Sequence, residues 1–111
     1  MAARVPDVGD IVWVDFDPTR GREQRGHRPA LVLSPASYNR RADLLVCCPL
    51  TTAIKGYPFE VAIAGPRGGV ALSDQLKSID WRARKVKIAA RASADEMAEV
   101  RARIRALLAI D

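Results

Sequence analysis

Short runs of alternating apolar and polar residues recur from residue 10 to residue 81, and most are separated by polar or turn-forming segments. Period-two runs of this length predict β-strands. The predicted strands are residues 10–16, 28–35, 44–51, 58–65, 70–74 and 76–81. The run at 44–51 is apolar on both faces and therefore central, and the polar stretch "ASYNRRAD" predicts a connector, with a helical turn as the alternative. Gly68 and Gly69 can supply the positive φ angles that a tight hairpin needs.

The period of the sequence changes at residue 93. Ser93 and Glu96 match the S-x-x-E capping box that begins many helices. The apolar residues beyond them fall on one helical face: Met97, Val100, Ile104, Leu107 and Leu108. This pattern predicts an amphipathic helix over 93–109 that packs on the sheet or forms an oligomer interface. Short strands followed by one helix indicate a mostly β fold with α, as a small, strongly curved antiparallel barrel.

Length and composition indicate a single globular domain over residues 1–111. The chain is 49% apolar and 28% charged, which is typical of a globular protein rather than a disordered one. No apolar run approaches the ~20 residues that span a bilayer, and no hydrophobic stretch follows the N-terminal arginine. We therefore expect a cytoplasmic protein without a membrane segment.

The adjacent Cys47 and Cys48 lie in the apolar run of the third predicted strand. Neighbouring side chains of a strand point to opposite faces, so a bond between the two sulfurs would be strained. We expect buried, reduced thiols, since metal ligation would need further His or Cys partners. Trp13 and Trp81 are expected in the core rather than as platforms for base stacking.

The net charge of +5 is compatible with a polyanionic partner. Nucleic acid is the first candidate and an acidic protein segment is the second. The alternative is that the arginines only keep the surface solvated.

Residues 17–27 form a connection longer than the usual hairpin loop, and long loops in small domains are commonly functional. In this segment and just after it lie Arg20, Arg22, Arg25 and Arg28 as candidates for binding phosphate, and Glu23 and His27 as candidates for moving protons. Metal-free cleavage of RNA needs these groups: a base for the 2′-OH, an acid for the 5′-oxygen and fixed cations for the phosphorane. A solvated, flexible loop is the alternative.

Three blocks of the sequence together resemble the MazF/PemK family of toxin endoribonucleases. They are "GDIVWVDFDPTRGREQRGHRPALVLSP", "CPLTTAIKGYPFEV" and "GVALSDQLKSIDWRAR", in the family's order and spacing. The resemblance extends from Pro6 to Arg84 and includes the terminal helix.

The resemblance implies an SH3-like antiparallel barrel with a C-terminal helix, working as a symmetric homodimer. It also implies metal-free, sequence-specific cleavage of single-stranded RNA, leaving a 2′,3′-cyclic phosphate and a 5′-hydroxyl, with no cofactor. The implied partner is an acidic cognate antitoxin, whose tail would compete with RNA for the same arginines.

The resemblance also implies roles for individual residues. Arg28 matches the essential arginine of G-x-x-R-P, Thr51 matches the essential threonine after the central strand, and Glu23 matches a loop glutamate that some members need. With His27, these are the candidate catalytic residues; Glu23 and His27 both remain candidates for the base. The candidate RNA-binding residues are Arg20, Arg22, Gln24, Arg25, Lys55, Asp74, Gln75 and Lys77.

The sequence departs from the family in one place and leaves alternatives open. Ser73 stands where the plasmid-type branch has an arginine assigned to proton transfer, so that role cannot be carried over. Asp74 could instead bond a turn backbone, and Glu23 could only pair with an arginine. Two other functions remain: a gyrase-inhibiting toxin of the same fold, which would need an aromatic C-terminus where this chain ends "LLAID", and a non-catalytic nucleic-acid-binding barrel.

Overall fold

A computed structural model of the chain describes residues 4–16 and 26–111. Within these ranges the chain forms seven strands and two helices. The strands are β1 Asp10–Asp15, β2 His27–Val32, β3 Leu44–Thr51, β4 Glu60–Ala62, β5 Val70–Leu72, β6 Lys77–Asp80 and β7 Lys87–Arg91, and the helices are α1 Ala36–Ala42 and α2 Ala94–Leu107.

All strand pairs described are antiparallel, and their order is β4-β5-β3-β2-β1-β7 with β6 also paired to β3. The central strand is β3, which contacts β2, β5 and β6. Its apolar sequence predicted this position. The predicted mostly β fold with a C-terminal helix is confirmed.

The sheet carries apolar residues on both faces, and the two cysteines show the alternation. Cys48 belongs to the cluster that packs under α2 with Met97 and Val100, whereas Cys47 belongs to the cluster on the other face. Both thiols are buried and free, as predicted. Trp81 is buried as predicted, but Trp13 is only half-buried.

Several predicted boundaries differ from the structure. The fourth strand is shorter than the predicted 58–65, because residues 58–59 form a turn before β4 begins. The stretch 36–43 contains a complete short helix, α1, whose first N–H is bound by the carboxylate of Asp7 at 2.9 Å. The sequence pattern missed β7 altogether, since its residues alternate only between exposed and half-buried positions.

Asn39, on α1, is fully buried and bonds to three other segments. Its side-chain amide donates to the carbonyls of Pro6 at 2.7 Å and Ser34 at 3.0 Å, and accepts from the Ser34 hydroxyl at 2.6 Å. Its backbone carbonyl accepts from Trp81 Nε1 at 2.9 Å. A buried amide with all these partners costs little and fixes the chain around it.

The predicted helix over 93–109 is confirmed as α2, and the capping box is present at Ser93. Glu96 accepts from the backbone N–H of Ser93 and from that of Ala64, both at 2.8 Å. Farther along, Arg103 donates to the carbonyl of Pro58. The helix is therefore bonded to the segments on both sides of β4. Within the described residues, no helix is long and apolar enough to cross a membrane.

Candidate active-site groove

The start of β2 and the end of β3 lie side by side. Ala30 pairs with Pro49 in the antiparallel ladder. Arg28 precedes Ala30 by two residues and Thr51 follows Pro49 by two, so both lie just beyond this ladder, at the same end of the two strands. Both line the same surface depressions, so the two side chains can act on one group.

Two adjoining depressions cover this end of the sheet, with volumes of about 240 Å³ and about 940 Å³. Arg28, Thr51 and Thr52 line both, so the depressions form one surface, which we call the groove. The smaller depression is also lined by Gly26, His27, Pro29, Leu50, Arg67 and Gly68. The larger one is also lined by Ala53, Lys55, Tyr57, Glu60, Leu72, Asp74 and Gln75.

Thr51 is held in place by its neighbours on two sides. Only 7% of it is exposed, and its hydroxyl oxygen accepts the N–H of Ala53 at 3.1 Å. Gly69, at φ +99°, approaches so closely that a Cβ there would lie 2.3 Å from the Thr51 carbonyl oxygen. The predicted positive φ of both hairpin glycines is confirmed, and Gly69 additionally provides the space that Thr51 occupies.

The segment from Thr52 to Phe59 is shaped by a carboxylate. Glu60 accepts the backbone N–H groups of Lys55 at 3.0 Å and Gly56 at 2.8 Å. Such charge-assisted bonds are about twice as strong as neutral ones. Glu60 therefore fixes the backbone that presents Lys55 and Tyr57 to the groove.

Ser73 has a structural role. It is fully buried, and its hydroxyl donates to the carbonyl of Phe59 at 2.6 Å. The backbone N–H of Ser73 donates to the same carbonyl at 3.1 Å. These bonds join the end of β5 to the beginning of β4 and so position Asp74 beside the groove.

His27 is exposed and stacks on Trp13. The two rings are parallel within 5°, with centroids 5.2 Å apart. Half-buried Trp13 thus supports the imidazole from the side of the sheet. Stacking restricts the orientations open to His27.

Of the predicted site residues, the groove brings together His27, Arg28, Thr51, Lys55, Asp74 and Gln75. Lys77 does not line it; its ammonium lies 5.8 Å from the centroid of the Phe16 ring. The predicted residues Arg20, Arg22, Glu23, Gln24 and Arg25 lie outside the described residues.

Four polar side chains of the groove were not predicted from the sequence: Thr52, Tyr57, Glu60 and Arg67. Of these four, only Glu60 could have been noticed in the sequence, because it is a single acidic residue next to a loop that contains a glycine. Across the two described ranges, no three His, Cys, Asp or Glu side chains cluster so as to hold a metal ion.

Comparison with known proteins identifies the family of the chain. Residues 7–108 match the family model described as PemK-like, MazF-like toxin of type II toxin-antitoxin system. The chain is 53% identical over 105 residues to the endoribonuclease toxin MazF of Escherichia coli K12, covering 94% of this chain and 95% of that relative.

Solved structures agree with the fold. MazF from Deinococcus radiodurans superposes with a TM-score of 0.92 and 48% identity, covering 97% of this chain and 100% of that one. A MazE-MazF structure from the same organism gives a TM-score of 0.84 and 44% identity, covering 98% and 100%. With a family match over nearly its whole length and a relative 53% identical over 94% of the chain, the chain belongs to the PemK-like, MazF-like toxins of type II toxin-antitoxin systems.

Proposed function

We propose that the groove binds single-stranded RNA and that Arg28 and Thr51 hold the phosphodiester that breaks. As a member of its family the chain is an endoribonuclease toxin, and the gyrase-inhibiting and non-catalytic alternatives are not favoured. The proposal adds that cleavage is sequence-specific, needs no metal ion and leaves a 2′,3′-cyclic phosphate and a 5′-hydroxyl. One observation carries it: Arg28 and Thr51 line the same groove from neighbouring strand ends.

The chemistry follows from these two groups. The 2′-oxygen attacks phosphorus, a base removes its proton, and the bond to the 5′-oxygen breaks as that oxygen gains a proton. Negative charge grows on the non-bridging oxygens, where the guanidinium of Arg28 can donate two parallel hydrogen bonds. The Thr51 oxygen already accepts the N–H of Ala53, so its own hydroxyl proton can be donated to the phosphate.

Proton transfer is assigned to the candidates of the loop and of β2. His27 lies in the groove with Arg28, and Glu23 is the second candidate. An imidazole suits this role because one ring nitrogen of its neutral form accepts a proton while the other donates one. Bases must be read from an unstacked strand, since the major groove of A-form RNA admits no side chain.

The catalytic assignment is tested with purified protein and a long mixed RNA whose product ends are sequenced. We expect Arg28→Ala to lower cleavage by roughly 100-fold or more, and Thr51→Val to lower it while Thr51→Ser retains it. Arg82→Ala is the matched control, because Arg82 pairs with Asp43 and stacks on Trp81 away from the groove.

EDTA should leave the rate unchanged, and the upstream products should carry a cyclic phosphate. Cleavage by Arg28→Ala at the wild-type rate would overturn the residue assignment. Loss of activity in EDTA that Mg²⁺ restores would overturn the metal-free reaction.

We also propose that the chain works in the cytoplasm as a homodimer and is neutralised by an acidic antitoxin. The net charge of +5 favours an anionic partner, and the MazF of D. radiodurans has been solved together with MazE. Co-expression with a cognate acidic antitoxin, sought among the small proteins encoded beside the toxin, should relieve growth arrest and yield a complex. If that protein neither binds nor protects, the partner proposal fails.

A further inference from the structure

Arg67 lines the smaller depression of the groove together with Arg28, but it comes from a different part of the sheet. It lies in the segment that connects β4 to β5, immediately before Gly68. The residue is exposed, and its guanidinium carbon lies 4.7 Å from the centroid of the Trp13 ring. Besides Arg28 and Lys55, the groove therefore has a further cation, and this one contacts an aromatic ring.

Contact with Trp13 prepares Arg67 to bind an anion. The ring attracts the positive charge without taking up all five N–H donors of the guanidinium, so donors remain for a ligand. These donors match the spacing of two phosphate oxygens. Because the ring restricts a side chain that is otherwise highly mobile, less conformational entropy remains to be lost when the anion binds.

Arg82 lies over a tryptophan as Arg67 does, but its guanidinium has a carboxylate partner. Arg82 also stacks on a tryptophan, with its guanidinium carbon 4.3 Å from the Trp81 centroid, but its Nε donates to the carboxylate of Asp43 at 2.6 Å. Arg67 forms no ion pair with any carboxylate in the part of the chain that the structure describes. An arginine that lies over an aromatic ring inside a groove, and that no carboxylate of the described residues neutralises, is arranged for a ligand.

We propose that Arg67 binds a backbone phosphate of the RNA strand in the groove, and that Trp13 positions it for this. The inference rests on the proposed function, because it takes RNA as the occupant of the groove. Arg28 would hold the phosphate that reacts, whereas Arg67 adds affinity and fixes the path of the strand.

The test measures binding separately from cleavage. A fluorescent single-stranded oligonucleotide, 2′-O-methylated at every position, cannot be cut because the attacking hydroxyl is blocked. Its dissociation constant is measured by anisotropy from 50 to 200 mM salt. Each phosphate contact on a single strand contributes about 0.7 to the slope of log affinity against log salt.

We expect Arg67→Ala to weaken binding about tenfold at the lowest salt and to reduce the slope by about 0.7. Arg67→Gln, which keeps a side chain of similar reach without the charge, should give the same reduction in slope. Trp13→Leu should weaken binding while retaining most of the slope, because Arg67 keeps its charge but loses its contact with the indole ring. Arg82→Ala, the matched stacked arginine, should bind like the wild type.

Unchanged affinity and slope in both Arg67 variants would overturn the inference, as would weaker binding with an unchanged slope in Arg67→Gln. In either case wild-type binding and cleavage would leave the proposed function standing. If the wild type itself neither binds nor cuts single-stranded RNA, the proposed function fails and the inference fails with it. Far-UV circular dichroism of each variant shows that the fold is retained; if Arg67→Ala does not fold, Arg67→Gln decides.

Discussion

Gly69 leaves room for Thr51: a Cβ at Gly69 would lie 2.3 Å from the Thr51 carbonyl oxygen and 3.0 Å from its carbonyl carbon. Both contacts are to backbone, which cannot swing away as the end of a flexible side chain can. The hairpin between β4 and β5 thus sets where β3 ends, and with it the position of the hydroxyl that we place on the phosphate.

Gly69→Ala should therefore lower cleavage by at least about tenfold and destabilise the fold. A side chain at φ +99° costs about 1–2 kcal/mol, and the clash adds to this. Cleavage assays and urea unfolding measure the two effects. Gly9→Ala is the control, since Gly9 lies away from the groove at φ +92° and an added Cβ there would approach no atom closer than the Arg91 guanidinium at 3.6 Å. Equal effects in both variants would show that strain alone, and not displacement of Thr51, is responsible.

Glu60→Ala should raise KM for RNA about tenfold, with a smaller effect on kcat. The variant loses two charge-assisted bonds to the N–H groups of Lys55 and Gly56, each worth about 1.5–3 kcal/mol, so the segment beside the groove loses its shape. Steady-state cleavage of a short labelled RNA gives both constants. Asp95→Ala removes the same charge from α2, away from the groove, and should change neither. A fall in kcat alone would contradict this role.

Glu96 should make stability depend on pH in the acid range. The N–H of Ser93 and, to a smaller extent, that of Ala64 lower the pKa of its carboxyl below the ordinary value of 4.5. A lowered pKa in the folded state contributes stability above pH 4.5, which is lost as the pH falls through the lowered value.

The measurement is the difference in the free energy of unfolding between the wild type and Glu96→Gln, at equal protein concentration. The difference should be largest at neutral pH and should shrink toward zero in acid, where the protonated carboxyl resembles the amide. A difference that does not change with pH would show that the ionised carboxylate is not what matters.

The two cysteines should be unreactive in the folded protein. Burial raises the pKa of Cys47 to about 12, and burial likewise raises the pKa of Cys48. Since the thiolate is the reactive form, Ellman's reagent at pH 8 should label neither thiol until urea unfolds the chain. Rapid labelling of the native protein would mean that β3 opens locally.

Much of the fold follows from the sequence because burial imposes a period on it. The alternation of 10–16 and the two-sided apolar run of 44–51 predicted β1 and the central position of β3. In β7, Lys87–Arg91, only Ile88 is a large apolar residue, so the sequence provides almost no period to detect. The length of α1 depends on Asp7 and Asn39, whose partners are far away in sequence or deeply buried.

The candidate site likewise contains residues that the sequence predicted and residues that it did not. Arg28 and Thr51 were predicted from motifs and line the same groove, because the pairing of β2 with β3 brings the start of one strand near the end of the other. Arg67 escaped prediction because "PRGG" is typical of a turn, and its contact with Trp13 joins segments that are distant in the chain. Lys77 follows the Asp74-Gln75 pair in sequence, but its place on β6 directs it over Phe16.

The C-terminal helix α2 is hydrogen-bonded to the two segments that border the groove. Glu96 binds the amide of Ala64, in the same connection as Arg67, and Arg103 binds the carbonyl of Pro58, in the segment that presents Tyr57. The two hydrogen bonds thus connect α2 to the segments that carry Arg67 and Tyr57. A substitution at Glu96 or Arg103, neither of which lines the groove, can therefore shift its borders while every lining residue stays the same.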